Sequence, residues 1–255
     1  MNDQDNFLTA DEIEISHEYQ DQGYAIRTIE NIEALDWIRN LFINLIRKNL
    51  TLKENVADSD LFDLIHAELD ITQLNDFRLA LIQQMNETKG FRSRYYHIAK
   101  PHLDAIVGNE LAMQSRVNLS IQLPGDDSSL LATHADTWSG DSPFEVVVWL
   151  PLVDCYKTKS MYILPPEKNI NLNKDFKGMS GKNSEDLFQS IESDVQWIDI
   201  NYGEVMIFNQ SLPHGNRINQ ENETRWSMNC RFKSLFSPYK DKKIGEFFEP
   251  ITMRP

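Results

Sequence analysis

VNLSIQL, residues 117–123, is where the chain changes character. Val117, Leu119, Ile121 and Leu123 alternate with Asn118, Ser120 and Gln122, the period-two pattern of a strand with one buried face. Downstream, FEVVVWLPLV (144–153), MYIL (161–164), VQWIDI (195–200), EVMIF (204–208) and RWSMNCRF (225–232) supply further short strands between Gly, Pro, Asn and Asp clusters. Upstream the spacing is helical. After a short strand at 24–27, Leu35, Ile38, Phe42, Leu45 and Ile46 share one helix face. Leu74, Phe77, Leu81, Ile82 and Met85 share another, with Thr72 as the expected N-cap and Gly90 as the end. Pro101 is expected to open a third helix in KPHLDAIVG (100–108).

Helices followed by six or more short strands predict a mainly β fold, a sandwich with flanking helices. One domain is expected over 1–255, with the helical flank and first strand in 1–110 and the β core in 111–255. Within that core, 165–194 is polar and lacks a clear period until its end, so it reads as a loop or lid.

Composition narrows the partners. Lys plus Arg number 25 against 39 Asp plus Glu, a net charge of −14, which repels a phosphate backbone and an anionic membrane alike. The expected partner is therefore a small-molecule substrate, with no nucleic acid and no membrane. MNDQDNFLTADEIE (1–14) has neither a basic start nor an apolar core, unlike a signal peptide, and Cys155 and Cys230 read as two reduced thiols. The expectation is a cytoplasmic protein.

Three histidines offer a carboxylate two residues on: His66/Glu68, His102/Asp104 and His134/Asp136. A two-residue step on an α-helix turns a side chain by about 200°, so the first two pairs, which sit in helical patterns, point apart. In extended chain the same step returns to one side, and LLATHADTWSGD (130–141) reads as chain leaving a strand for a loop. There His134 and Asp136 can chelate. His214, just past the strand in EVMIFNQSLPHGN (204–216) and 80 residues after His134, is the candidate third ligand. Two imidazoles and one carboxylate suit Fe(II) and leave three positions open. Arg225 and Ser227 share a strand face with Asn229, opposite Trp226, Met228 and Cys230, and a guanidinium grips a carboxylate through two hydrogen bonds.

With these pieces in order the chain resembles the phytanoyl-CoA dioxygenase-like branch of the Fe(II)/2-oxoglutarate-dependent oxygenases. GYAIRTIENIEAL (23–35) resembles that family's opening strand and helix, HADTW (134–138) its first two ligands and VVVWLPLVDC (146–155) its core strand. GEVMIFNQSLPHGNRIN (203–219) and TRWSMN (224–229) resemble its last ligand and cosubstrate anchor. One departure is MYILPPEKN (161–169), where many relatives carry a Pro-Gly-Ser-His-like turn.

The resemblance implies a double-stranded β-helix (jelly roll, cupin-like) core with Fe(II) on His134, Asp136 and His214. It implies 2-oxoglutarate held by Arg225 and Ser227, and O2 as oxidant. It extends to Asn118 as an amide facing the cosubstrate, a position where a structural strand amide is the alternative. Trp138 is the candidate wall of the substrate pocket, against a core role. The implied reaction is hydroxylation of a small polar metabolite, a sugar or nucleotide-sugar of bacterial surface-carbohydrate biosynthesis, with amino-acid-derived metabolites as the next class. Two rivals share the fold: a cupin-type metal-dependent sugar isomerase or epimerase, and a non-catalytic carbohydrate-binding jelly roll. The first has no use for a 2-oxoglutarate anchor such as Arg225; in the second these residues would hold a structural Ca²⁺ or line a groove, and two histidines argue against calcium, which prefers oxygen ligands.

Overall fold

Helix α1 (Ala10–Gln22) opens on a capping box between Thr9 and Glu12 and stops at Gly23, whose φ of 81° lets the chain turn into β1 (Tyr24–Thr28). A Cβ at Gly23 would lie 2.0 Å from Leu212 Cδ1, so glycine is also required by packing. The structure, a computed structural model, describes residues 7–52, 56–174 and 183–252.

Helix α2 (Ile32–Asn49) buries Leu35, Ile38, Phe42, Leu45 and Ile46, as their spacing predicts. In α3 (Ile71–Glu87) the cap is Asp70 rather than Thr72. Its carboxylate accepts from Thr72 N at 2.8 Å and Thr72 Oγ1 at 2.6 Å, so the threonine serves the cap instead of being it. Helix α4 runs Phe91–Ile106 with Pro101 inside it, not at its start. Its buried face, from Phe91 through Tyr95, Ile98 and Ala99 to Leu103, carries the helix past the proline. The hydrogen bond that Pro101 cannot donate would have gone to His97, and both residues are exposed, so water can serve that carbonyl.

The main sheet has the order β1-β7-β4-β9-β2-β10, with β3 also pairing with β9. Its further members are β2 (Leu111–Gln114), β3 (Asn118–Gln122), β4 (Glu145–Pro151), β7 (Glu204–Asn209), β9 (Arg225–Ser234) and β10 (Phe248–Thr252). Strand β9 is ten residues long, so β3 pairs with its first half and β2 with its second. A smaller sheet, β6-β5-β8, comprises β5 (Tyr162–Ile163), β6 (Gln196–Trp197) and β8 (His214–Gly215).

The pleat of β9 sorts the molecule into a core side and a site side. Trp226, Met228, Cys230 and Phe232 are buried in the hydrophobic core shared with α2, α3 and α4. Trp226, fully buried, meets Phe42, Phe62 and Phe77 edge-on with ring centroids 5.4–6.3 Å away and donates through Nε1 to Phe62 O at 2.9 Å. Trp226→Ala is expected to destabilise the protein by about 3–5 kcal/mol, read as a lowered denaturation midpoint. Arg225, Ser227, Asn229 and Arg231 face the other way, into the space between the two sheets.

The segment 165–194 is more ordered than its composition predicts. It contains α5 (Pro166–Lys174) and α6 (Ser184–Ile191), while 175–182 lies outside the described residues. Helix α6 starts on an Asn183/Asp186 capping box and buries Leu187, Phe188 and Ile191, a short stripe that a search for longer periods passes over. Phe188 packs on Tyr162 at 5.0 Å between centroids, under Arg217, which pairs with Glu185. No helix among the described residues is long and apolar enough to cross a membrane, and Cys155 and Cys230 are both buried and free.

Candidate metal centre and active site

His134 and His214 meet as a reciprocal backbone bridge: His134 N donates to His214 O at 3.0 Å and His214 N to His134 O at 2.8 Å. Their imidazole centroids are 4.4 Å apart. Each ring is oriented by the same local device, a contact from Nδ1 to the carbonyl two residues upstream, Ala132 O at 2.7 Å and Leu212 O at 2.8 Å. A carbonyl only accepts, so each Nδ1 carries a proton, which leaves Nε2 as the nitrogen each ring can offer to a metal.

Ala135 is extended, with φ −118° and ψ 133°, which brings Asp136 to the same side as His134. Asp136 Oδ1 lies 3.5 Å from His134 Nε2. Among the described residues these three form one group whose donor atoms all lie within 4.8 Å of one another. The other His-x-carboxylate pairs do not join it. His66 sits in a 3-10 turn with its Nδ1 3.1 Å from Thr224 Oγ1, and His102 lies within α4.

The electrostatics suit a cation. Burial opposes ionisation of Asp136, but the His134 hydrogen bond and the Arg231 guanidinium outweigh it and hold the carboxyl well below the usual range. Burial, then the charge of His134, pushes His214 down to about 4, so it is a neutral imidazole at neutral pH. Burial opposes protonation of His134 too, but its Nε2 contact to Asp136 outweighs that and raises it, so a metal displaces a proton there; two imidazole nitrogens and one carboxylate oxygen match a divalent transition metal.

These ligands line a cavity of about 220 Å³ between the sheets. Its main-sheet wall is β3, β4 and β9, through Asn118 and Ser120, Val147 and Trp149, and the alternate residues of β9 from Arg225 to Arg231. Arg225 is 3% exposed. Its Nη1 donates to Ser160 O at 3.0 Å and its Nη2 to Ser120 Oγ at 2.9 Å, while Nε has no partner. The presenting segment is itself anchored, because Lys159, fully buried, pairs with Asp63 and Glu223, each at 2.6 Å. Arg225 makes no ion pair among the described residues, and burial pushes its guanidinium down to about 10. A buried cation without a partner is costly, so this position calls for an anion.

Ser227 lies two residues along the same pleat and lines the cavity; so does Asn118, whose Nδ2 donates to Asn229 Oδ1 at 3.0 Å. Trp138 is not in the lining. It belongs to the 3-10 turn Asp136–Ser139 and is 42% exposed; two steps of such a turn rotate a side chain by about 240°, away from the direction of Asp136. Ser120, Trp149, Asn216 and Arg231 also line the cavity, beyond the residues to which the sequence motifs point. Continuing the alternation of β3 and β9 to their ends reaches Ser120 and Arg231, whereas Trp149 and Asn216 carry no such signal.

No protein-family model matches the chain, and no curated protein sequence does. Among solved structures it is similar to SnoK, a non-heme α-ketoglutarate-dependent carbocyclase from nogalamycin biosynthesis, with TM-score 0.58 and 13% identity over 97% of either chain. It is similar to the nickel complex of the non-heme monooxygenase ThoJ, with TM-score 0.57 and 14% identity over 93% of this chain and 84% of that one. HygX from Streptomyces hygroscopicus, with nickel and 2-oxoglutarate bound, gives TM-score 0.54 and 12% identity over 90% and 88%. The fold is the double-stranded β-helix. Within it, the two histidines, the aspartate and Arg225 line one inter-sheet cavity.

Proposed function

We propose that the protein is an Fe(II)/2-oxoglutarate-dependent oxygenase that hydroxylates a small, neutral, polar metabolite, a sugar or the sugar part of a nucleotide-sugar. The observation that carries this reading is Arg225: a buried guanidinium that has no ion-pair partner and an unpartnered Nε among the described residues, lining the same cavity as two histidines and an aspartate. A metal-dependent isomerase or a carbohydrate-binding jelly roll has no use for that cation.

His134 and His214 would hold the metal through Nε2, each ring locked by its Nδ1 contact to a backbone carbonyl, and Asp136 through Oδ1. Arg225 would receive the distal carboxylate of 2-oxoglutarate, with the Ser227 hydroxyl beside it and the Asn118 amide further along the wall. Fe(II) and 2-oxoglutarate bound together supply oxygen activation coupled to decarboxylation of the cosubstrate to succinate and carbon dioxide, and with it the ability to remove hydrogen from a C–H bond. The chain itself orients both groups and keeps bulk water from a cavity lined by Val147, Trp149, Met161 and Phe208.

Charge supports the substrate class. The charged side chains of the lining are Asp136, assigned to the metal, Arg225, assigned to the cosubstrate, and Arg231, which already pairs with Asp136. What remains is Asn, Ser and apolar surface, which fits an uncharged hydroxylated ring and leaves the ammonium or carboxylate of an amino acid without a partner there. Related folds serve more than one outcome: a HygX structure holds hygromycin B, and SnoN is an epimerase.

The test is an anaerobic titration with Fe(II) and then 2-oxoglutarate. The expected result is a visible metal-to-ligand charge-transfer band that saturates at one cosubstrate per chain; no band overturns the oxygenase reading. Succinate release is then screened with neutral sugars, nucleotide-sugars and amino acids. A preference for amino acids would overturn the substrate class alone.

A further inference from the structure

Arg231 is the cavity cation to which neither metal nor cosubstrate gives a role. Six residues beyond Arg225 on β9, it shares that residue's face. Its Nη2 lies 2.9 Å from Asp136 Oδ2 and 3.7 Å from Asp141 Oδ2, and its Nε donates to Gln210 Oε1 at 2.8 Å. Fully buried Gln210 is fixed in turn, donating through Nε2 to Glu145 Oε2 at 2.9 Å and Ser142 O at 3.0 Å. The Gln210 carbonyl accepts from Asp136 N at 3.0 Å, so one residue braces the backbone of Asp136 and the guanidinium that grips its side chain. Behind them Lys242 holds Asp141 at 2.5 Å.

The two oxygens of Asp136 are thereby divided. Oδ2 is taken by Arg231, and Oδ1 alone faces the imidazoles, 3.5 Å from His134 Nε2. We propose that Arg231 is a positioning residue that keeps Asp136 a single-oxygen metal ligand. The inference rests on the metal reading of this site. Two imidazoles and one carboxylate oxygen leave an octahedral ion three positions, which a bidentate keto acid and oxygen fill between them. A carboxylate free to bind through both oxygens would compete for one of them. A guanidinium suits the task because its rigid fork reaches Asp136 and Gln210 at once.

The experiment uses Ni(II) calorimetry on the full chain, followed by 2-oxoglutarate titration of the Ni(II)-loaded protein, with circular dichroism and melting of each variant as the check on folding. Arg231→Leu is expected to weaken Ni(II) binding by about 10- to 100-fold, the range for lost outer partners of metal ligands. Its 2-oxoglutarate affinity at saturating Ni(II) should fall as well. Arg231→Lys should recover part of the Ni(II) affinity, since an ammonium can reach Asp136 but cannot also serve Gln210. A folded Arg231→Leu whose Ni(II)-loaded form binds 2-oxoglutarate as wild type does overturns the proposal, whatever its Ni(II) affinity. Should that variant not fold, Arg231→Gln is judged by the same criterion. A wild-type chain that takes up no Ni(II) is a separate result, seen before any variant is made, and removes the metal reading itself.

Discussion

Arg225→Met is expected to abolish 2-oxoglutarate binding in the useful range while leaving the apo protein as stable as wild type or more so. Losing one partner of a buried charge pair costs about 2–5 kcal/mol, on the order of 30-fold to a few thousand-fold in the dissociation constant. The stability half of the expectation has an independent cause. The Arg225 guanidinium is buried with no ion pair among the described residues, and methionine removes that desolvation penalty at similar length. Against this stand the bonds to Ser160 O and Ser120 Oγ, each contributing about 1 kcal/mol. Denaturant midpoints and isothermal titration of the Ni(II)-loaded variant read both halves. A variant that binds 2-oxoglutarate like wild type would show that the buried cation serves the fold, and the cosubstrate assignment would go.

The second large effect is on the metal. His214→Ala and Asp136→Ala should each weaken Ni(II) or Fe(II) binding by more than the roughly 100-fold that outer-partner changes cost, because each removes one of three protein donors. His66→Ala and His102→Ala should bind metal as wild type does. That contrast is the useful one, since all three His-x-carboxylate pairs look alike in the sequence. His214 is the most telling of the ligands, being buried and held neutral near pH 7, so no protonation step competes with the metal there. Equal losses in all four variants would point to general destabilisation instead of a metal site.

Legibility followed the size of the local signal. The alternation at 117–123 and the helical stripe of α2 were plain because packing demanded whole faces of one kind. Gln122 is the exception on its strand, polar yet fully buried, because its amide is satisfied by Arg217 O and Asn216. Pro101 misled because local preference favours the first helical turn, while α4 is dictated by a buried face that begins ten residues earlier. Strand β8 has two residues, too few to show a period, yet it carries His214. What marks His214 in the sequence is its chemistry and its place after β7, not a strand period. Arg231 was within reach, since the alternation that joined Arg225, Ser227 and Asn229 continues to it. What no sequence period shows is that its guanidinium closes on Asp136, 95 residues earlier.

The reciprocal bridge between His134 and His214 bears on how the site is loaded. Two backbone hydrogen bonds already join chain segments separated by 80 residues. The loop-closure entropy that a metal would otherwise have to overcome in gathering distant donors is therefore borne by the folding of the sheets. An ion arriving here meets rings already aimed and spaced, so its capture behaves as docking into a rigid receptor. That is the opposite of small zinc domains, whose ordering waits on the metal.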